Sequence, residues 1–131
     1  MKYLFDVNTL LALAHQNHAD HQKVSLWFQS VSPVAKEFQT SAITELGFVR
    51  VSVQAGLEPD IRAAQKTLSG LVQSSKTPFV RVTDSIGVAQ MPKHVKTPAQ
   101  LTDGHLLELA HSSGSKLVTL DRGIPGALLI S

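Results

Sequence analysis

Apolar positions along the 131-residue chain fall into short strand-like runs separated by helix-like stripes. Lys2-Tyr3-Leu4-Phe5 does not alternate, the pattern of a strand covered on both faces, and Asp6 stops it. Asn8 is placed to cap the helix that follows, whose stripe is Leu10, Leu11, Leu13 and Ala14. A second helix is expected from 20 to 30, with Val24, Trp27 and Phe28 at helical spacing, and Pro33 ends it. Residues 38–40 suit a short strand. Ser41 then caps a helix expected over 42–54 and closed by Gly56.

Pro59 and Asp60 open a further helix, in which Ile61, Ala64, Leu68, Leu71 and Val72 share one face. A strand is expected over 79–82, after which the pattern dissolves into a long surface loop at 83–96. Thr97-Pro98-Ala99-Gln100 fits a capping box with proline at the first helical position, and Thr102 offers a second start one turn later. That helix carries Leu106, Leu107 and Ala110 before Gly114 closes it. Residues 116–120 form the clearest strand, stopped by Asp121, and 128–130 supply a last one. Strands alternating with helices predict one α/β domain over 1–131, built on a mainly parallel sheet. In such sheets ligands sit at the carboxyl ends of the strands, where Asp6 and Asp121 fall.

Composition narrows the chemistry. No cysteine is present, which excludes disulfides, a thiol nucleophile and thiolate-bound metals. Hydrophobic residues at 43% against 17% charged are globular proportions rather than those of a disordered chain. No apolar run approaches the ~20 residues of a membrane span. Asp6 and Asn8 interrupt what would otherwise mimic a secretory signal, so a cytoplasmic location is expected.

Four acids stand where folding alone would not put them. Asp6 and Asp121 terminate apolar strands, Asp103 shares the stripe of Leu106, Leu107 and Ala110, and Glu45 lies early in an apolar helix. Each alone is explicable as a turn, cap or helix-dipole residue. Gathered in one crevice they repel one another, which makes sense around a hard cation, Mg²⁺ or Mn²⁺ on oxygen ligands.

The segments around these acids carry a resemblance. Phe5-Asp6-Val7-Asn8-Thr9-Leu10-Leu11-Ala12-Leu13 is similar to the opening motif of PIN-domain ribonucleases. Thr44-Glu45-Leu46-Gly47-Phe48-Val49-Arg50-Val51, then Thr102-Asp103-Gly104-His105-Leu106-Leu107-Glu108-Leu109-Ala110, then Leu117-Val118-Thr119-Leu120-Asp121-Arg122-Gly123 follow in the family's order. The chain most resembles the VapC type, the toxin of bacterial toxin–antitoxin pairs. The resemblance implies a three-layer α/β/α domain and an endoribonuclease whose metal is held by Asp6, Glu45, Asp103 and Asp121, with a cognate antitoxin protein and a homodimer as expected assemblies. It gives Asn8 a site-ordering role and Thr102 and Thr119 supporting hydroxyls. Gly104 departs from the family, where a larger residue such as alanine is more usual.

Arg122, Arg50 and Lys116 are candidates for contact with RNA phosphate. His15, His18 and His21 resemble a zinc cluster, but their polar surroundings favour surface or capping roles. His105 is expected to be solvated, and Trp27 and Phe28 to be core rather than a base-stacking platform. Two other readings stay open: a receiver-like phosphorylation domain, which needs a lysine ending a later strand, and a catalytically silent PIN-like binding module. The net charge of +2 conceals two fields: without the four site acids, 12 basic residues face only six acids.

Overall fold

A computed structural model describes residues 1–131. In chain order the elements are β1 (Lys2–Phe5), α1 (Val7–Ala14), α2 (His21–Val31), β2 (Glu37–Thr40), α3 (Ala42–Gln54) and α4 (Ile61–Ser74). They continue as β3 (Phe79–Arg81), α5 (Leu101–Ser112), β4 (Lys116–Thr119) and β5 (Leu128–Leu129). The five strands form one sheet in the order β3-β2-β1-β4-β5, and every pairing is parallel. Chain order reverses between β1 and β4, so the crevice above their carboxyl ends is the topological switch point where such folds bind ligands.

Alternation along β1 separates two cores. Tyr3 and Phe5 face the side on which α1 to α4 bury Leu10, Leu11, Val24, Phe48 and Leu68, joined by Phe38 and Val118. Leu4 and Leu117 face the other side, where α5 buries Leu106, Leu107, Leu109 and Ala110. The domain is therefore three-layered, with four helices on one face and one on the other. Trp27 and Phe28 belong to the first core: Trp27 meets Tyr3 edge-on at a centroid distance of 5.2 Å, and Phe28 stacks on Phe38 at 4.6 Å.

Ser41 and Asp60 cap α3 and α4 through Thr44 N and Ala63 N. Gly56 and Gly114 take positive φ beyond the ends of α3 and α5, the backbone a left-handed helix stop requires. Several expectations need correction. The cap of α1 is Asp6, not Asn8: Asp6 is extended at the end of β1, and its Oδ1 accepts the Thr9 N–H at 2.9 Å. Asn8 is instead an exposed residue of the first turn. Thr97 opens only a 3₁₀ turn, Pro98–Gln100, and α5 proper starts at Leu101, leaving Thr102 exposed in its first turn. β3 and β4 each stop one residue early, although Val82 N still donates to Thr40 O.

The three histidines do not form a cluster. His15 is buried rather than superficial, stacked on Phe48 at 5.3 Å and sharing a hydrogen bond with Ser52 Oγ at 2.9 Å. His18 accepts the Asp20 N–H, and His21 is hydrogen-bonded to the Ala12 carbonyl near the end of α1. No helix is long and apolar enough to cross a membrane.

Candidate active site

The parallel register between β1 and β4 builds the site. Phe5 lies beside Val118, so the next residues of the two strands, Asp6 and Thr119, emerge together at the switch point. The Thr119 hydroxyl donates to Asp6 Oδ2 at 2.6 Å and accepts the Asp121 N–H at 2.9 Å. Asp6 Oδ1 is taken by Thr9 N, and the Thr9 hydroxyl donates to the Val118 carbonyl. Thr44 ties in α3 by donating to the Phe5 carbonyl. No sequence pattern marks Thr9 or Thr44 as supports; Asp6 itself, an acid directly before a helical stripe, is the cap signal the sequence does carry.

Asp6, Asp103 and Asp121 share the crevice, near enough for their charges to act on one another. Burial pushes the Asp6 carboxyl above the usual carboxylate range, hydrogen bonds from Thr119 and Thr9 oppose the shift, and the Asp121 charge adds to it. Asp103 is likewise raised, first by burial, then by the charges of Asp6 and Asp121, while His94 acts in the opposite direction. None of the three carboxylates is salt-bridged to a basic side chain. Asp121 is exposed, with Oδ1 accepting the Gly123 N–H, so it forms the open side of the crevice.

Glu45 stands at the rim. It accepts the Thr40 hydroxyl at 2.6 Å and reaches Arg81 Nη1 at 3.5 Å, so this acid has a cationic neighbour. Arg81 is a site neighbour that no sequence pattern announced, because its position follows from β3 pairing beside β2. The remaining candidates are dispersed. Thr102 and Asn8 are exposed and make no hydrogen bond through their side chains to the acids. Arg122 is exposed next to Asp121, whereas Arg50 lies further along α3 on an apolar groove with Leu46, Val53 and Ile61. Lys116 begins β4 and so lies at the end of the sheet opposite the acids. His105 is not solvated: it is hydrogen-bonded to Asp84 at 2.6 Å, with only 13% of its side chain exposed.

As arranged, no three acidic or histidine side chains converge closely enough to enclose a metal ion. The donor set is nonetheless all oxygen, anionic and open to water on the Asp121 side. That fits a cation such as Mg²⁺, which keeps most of its waters and takes one or two carboxylates; it does not fit a closed protein cage. No lysine ends β4 or β5, so the receiver-like alternative lacks its defining residue.

A parallel α/β sheet with carboxylates at its switch point, and no lysine ending a later strand, is the arrangement the resemblance to PIN-type domains leads one to expect. No family model matches the chain. It is 36% identical to ribonuclease VapC38 of Mycobacterium tuberculosis, over 92% of this chain and 86% of that protein. Identity to VapC44 of the same species is 32%, over 97% and 94% of the two chains. VapC39 gives 34%, over 95% and 91%. The chain belongs to the VapC family of ribonucleases. The fold also superposes on a chain in the crystal structure of VapBC2 from Rickettsia felis bound to a promoter DNA fragment, with a TM-score of 0.60, 14% identity and coverage of 98% and 97%.

Proposed function

We propose that this VapC-family protein is an endoribonuclease dependent on Mg²⁺ or Mn²⁺, and the toxin of a pair with a protein antitoxin. The observation that carries the reading is the buried Asp6 carboxylate, fixed by Thr119 and Thr9 beside two further carboxylates with no basic side chain to neutralise them. A fold does not keep such repulsion without return, and a bound cation supplies it.

Asp6, Asp103 and Asp121 would hold the ion directly or through its waters, with Glu45 serving ion and water from the rim. A bound ion would supply a more acidic water and charge compensation for the phosphodiester in an in-line displacement. Thr119 favours the ionised form of Asp6, against the effect of burial, and aims it by donating to its Oδ2. Arg81, held against Glu45, is positioned to meet substrate phosphate at the same rim. RNA is the substrate this reading assigns, and family analogy implies 5′-phosphate and 3′-hydroxyl ends.

The antitoxin reading draws on the VapBC2 complex and on an apolar groove between α3 and α4. Leu46 and Ile61 are 67% and 60% exposed there, and Glu45 closes one end of the groove. A homodimer is part of the same reading. Purified protein is expected to cleave total RNA with Mg²⁺ or Mn²⁺ and to stop with EDTA, and Asp6→Asn should be inert but folded. Full cleavage in EDTA by a homogeneous sample overturns the metal mechanism. Co-expression with the neighbouring gene's product, followed by light scattering, tests antitoxin and dimer together.

A further inference from the structure

The segment after β3 does not behave as the free surface loop its sequence suggests. Val82 and Ile86 pack into the α5-side core, anchoring the first part. Asp84 then hydrogen-bonds His105 on α5 while its other oxygen accepts the Ile86 N–H at 3.0 Å. At the far end the Gln100 side chain accepts the N–H groups of Lys96 and Thr97. Between these anchors the chain lies on α5 at Gly104. A Cβ placed on Gly104 would fall 2.3 Å from Val95 Cγ2, 3.5 Å from Pro92 and 3.7 Å from Met91 Sδ. The missing side chain is thus a notch that seats Val95, one residue from Asp103. This gives a reason for glycine where the family resemblance leads one to expect alanine.

Two lysines of the docked segment, Lys93 and Lys96, flank Val95, the residue seated on Gly104. Lys93 and Lys96 are exposed and in no ion pair, and His94 between them is half-buried. Lys116, by contrast, is at the wrong end of the sheet, and Arg50 lies along the α3–α4 groove.

We propose that residues 91–96 are a docked strap whose Lys93 and Lys96 grip the RNA phosphate backbone beside the acidic centre, with the Gly104 notch as the positioning element. The proposal rests on the endoribonuclease reading and deepens it. An acidic crevice repels a polyanion, so cations rigidly placed at its mouth hold the strand flanking the cut. Because the strap is pinned by Gly104, its geometry is set by the same helix that carries Asp103.

Two sets of variants test this in steady-state cleavage of a single-stranded RNA, with binding measured in the inactive Asp6→Asn background. Lys93→Ala with Lys96→Ala should raise KM about tenfold with kcat within about twofold, and flatten the log–log salt dependence of binding by about 1.4, the value for two phosphate contacts on a single strand. Gly104→Ala should raise KM by displacing the strap, and Val95→Ala, which removes the obstructing methyl, should restore it in the double variant. An unchanged KM and salt slope in the lysine variant, with wild-type cleavage intact, overturns the strap. A Gly104→Ala loss that Val95→Ala does not relieve overturns the notch. If wild-type protein cleaves no RNA under any metal, the endoribonuclease reading itself has failed, a result distinct from either.

Discussion

Thr119 joins the two strands that flank the switch point, giving its hydroxyl proton to Asp6 Oδ2 at 2.6 Å. The Thr119 hydroxyl oxygen in turn accepts the Asp121 N–H at 2.9 Å, so one side chain fixes the positions of two proposed ligands. Thr119→Val keeps the shape and removes both contacts. The buried Asp6 carboxylate then loses its strongest donor, and unfolding stability is expected to fall by about 1–3 kcal/mol. Cleavage should fall by about 10–100-fold, the usual cost of losing a partner behind a metal ligand. Thr119→Ser should recover most of both. Urea unfolding and initial rates measured on the three proteins make the check.

The acidic centre should work against the stability of the metal-free fold. Asp103 has its pKa raised above 3.8, first by burial and then by Asp6 and Asp121. A raised carboxyl binds its proton more tightly when folded, so its ionisation costs stability above the folded pKa, and the cost vanishes as pH falls through that value toward 3.8. Asp103→Asn should therefore melt higher than wild type at pH 7 without metal, with the advantage shrinking on acidification. Adding Mg²⁺ should stabilise wild type and leave the variant's melting point nearly unchanged. Equal melting points at pH 7 in EDTA would remove the repulsion argument.

The order of strands and helices was legible because each apolar run was bounded by a residue with a mechanical reason to stop it. Ser41, Asp60, Gly56 and Gly114 fulfil their capping roles in the structure. Asp6 and Asp121 could be placed at strand ends from local pattern alone. What local pattern could not carry was partnership across the sheet. Thr9 and Thr44 act through carbonyls of strands distant in sequence, Arg81 reaches Glu45 only because β3 lies beside β2, and the Asp84–His105 pair spans two elements. The anchored strap was missed for a related reason: its seat is the absence of a side chain at Gly104, which periodicity cannot register. The polar sequence neighbours of His15 suggest the surface, whereas its neighbour in space is the apolar ring of Phe48.

His15 supplies a test on the acid side. Burial lowers its pKa below 6.5, with the Glu58 charge opposing and His18 assisting. The unfolded chain then binds the proton more readily, so stability is fully present above 6.5 and is lost as pH falls through the folded value. His15→Gln can keep a hydrogen bond to Ser52 without a titrating ring. Wild type should lose more stability than this variant between pH 7 and 5, read as the difference in urea midpoints. Parallel pH curves would show that the imidazole is not what acid attacks.

Gly47 sets how closely α3 approaches α1. A Cβ there would come within 2.6 Å of Val7 Cγ2, and Val7 immediately follows Asp6. Gly47→Ala gains helix propensity, which favours stability by roughly 1 kcal/mol in an open helix. The overlap with a β-branched side chain at the start of α1 should more than cancel this, for a net loss of about 1–3 kcal/mol. Because the shift falls on the first turn of α1, it also moves the Asp6 carboxylate relative to Thr119, so cleavage should drop beyond what the unfolded fraction explains. Val7→Ala clears the methyl, and the double variant should be more stable and more active than the sum of the single changes predicts. Additive losses in both unfolding and cleavage would mean that α1 and α3 do not communicate through this contact.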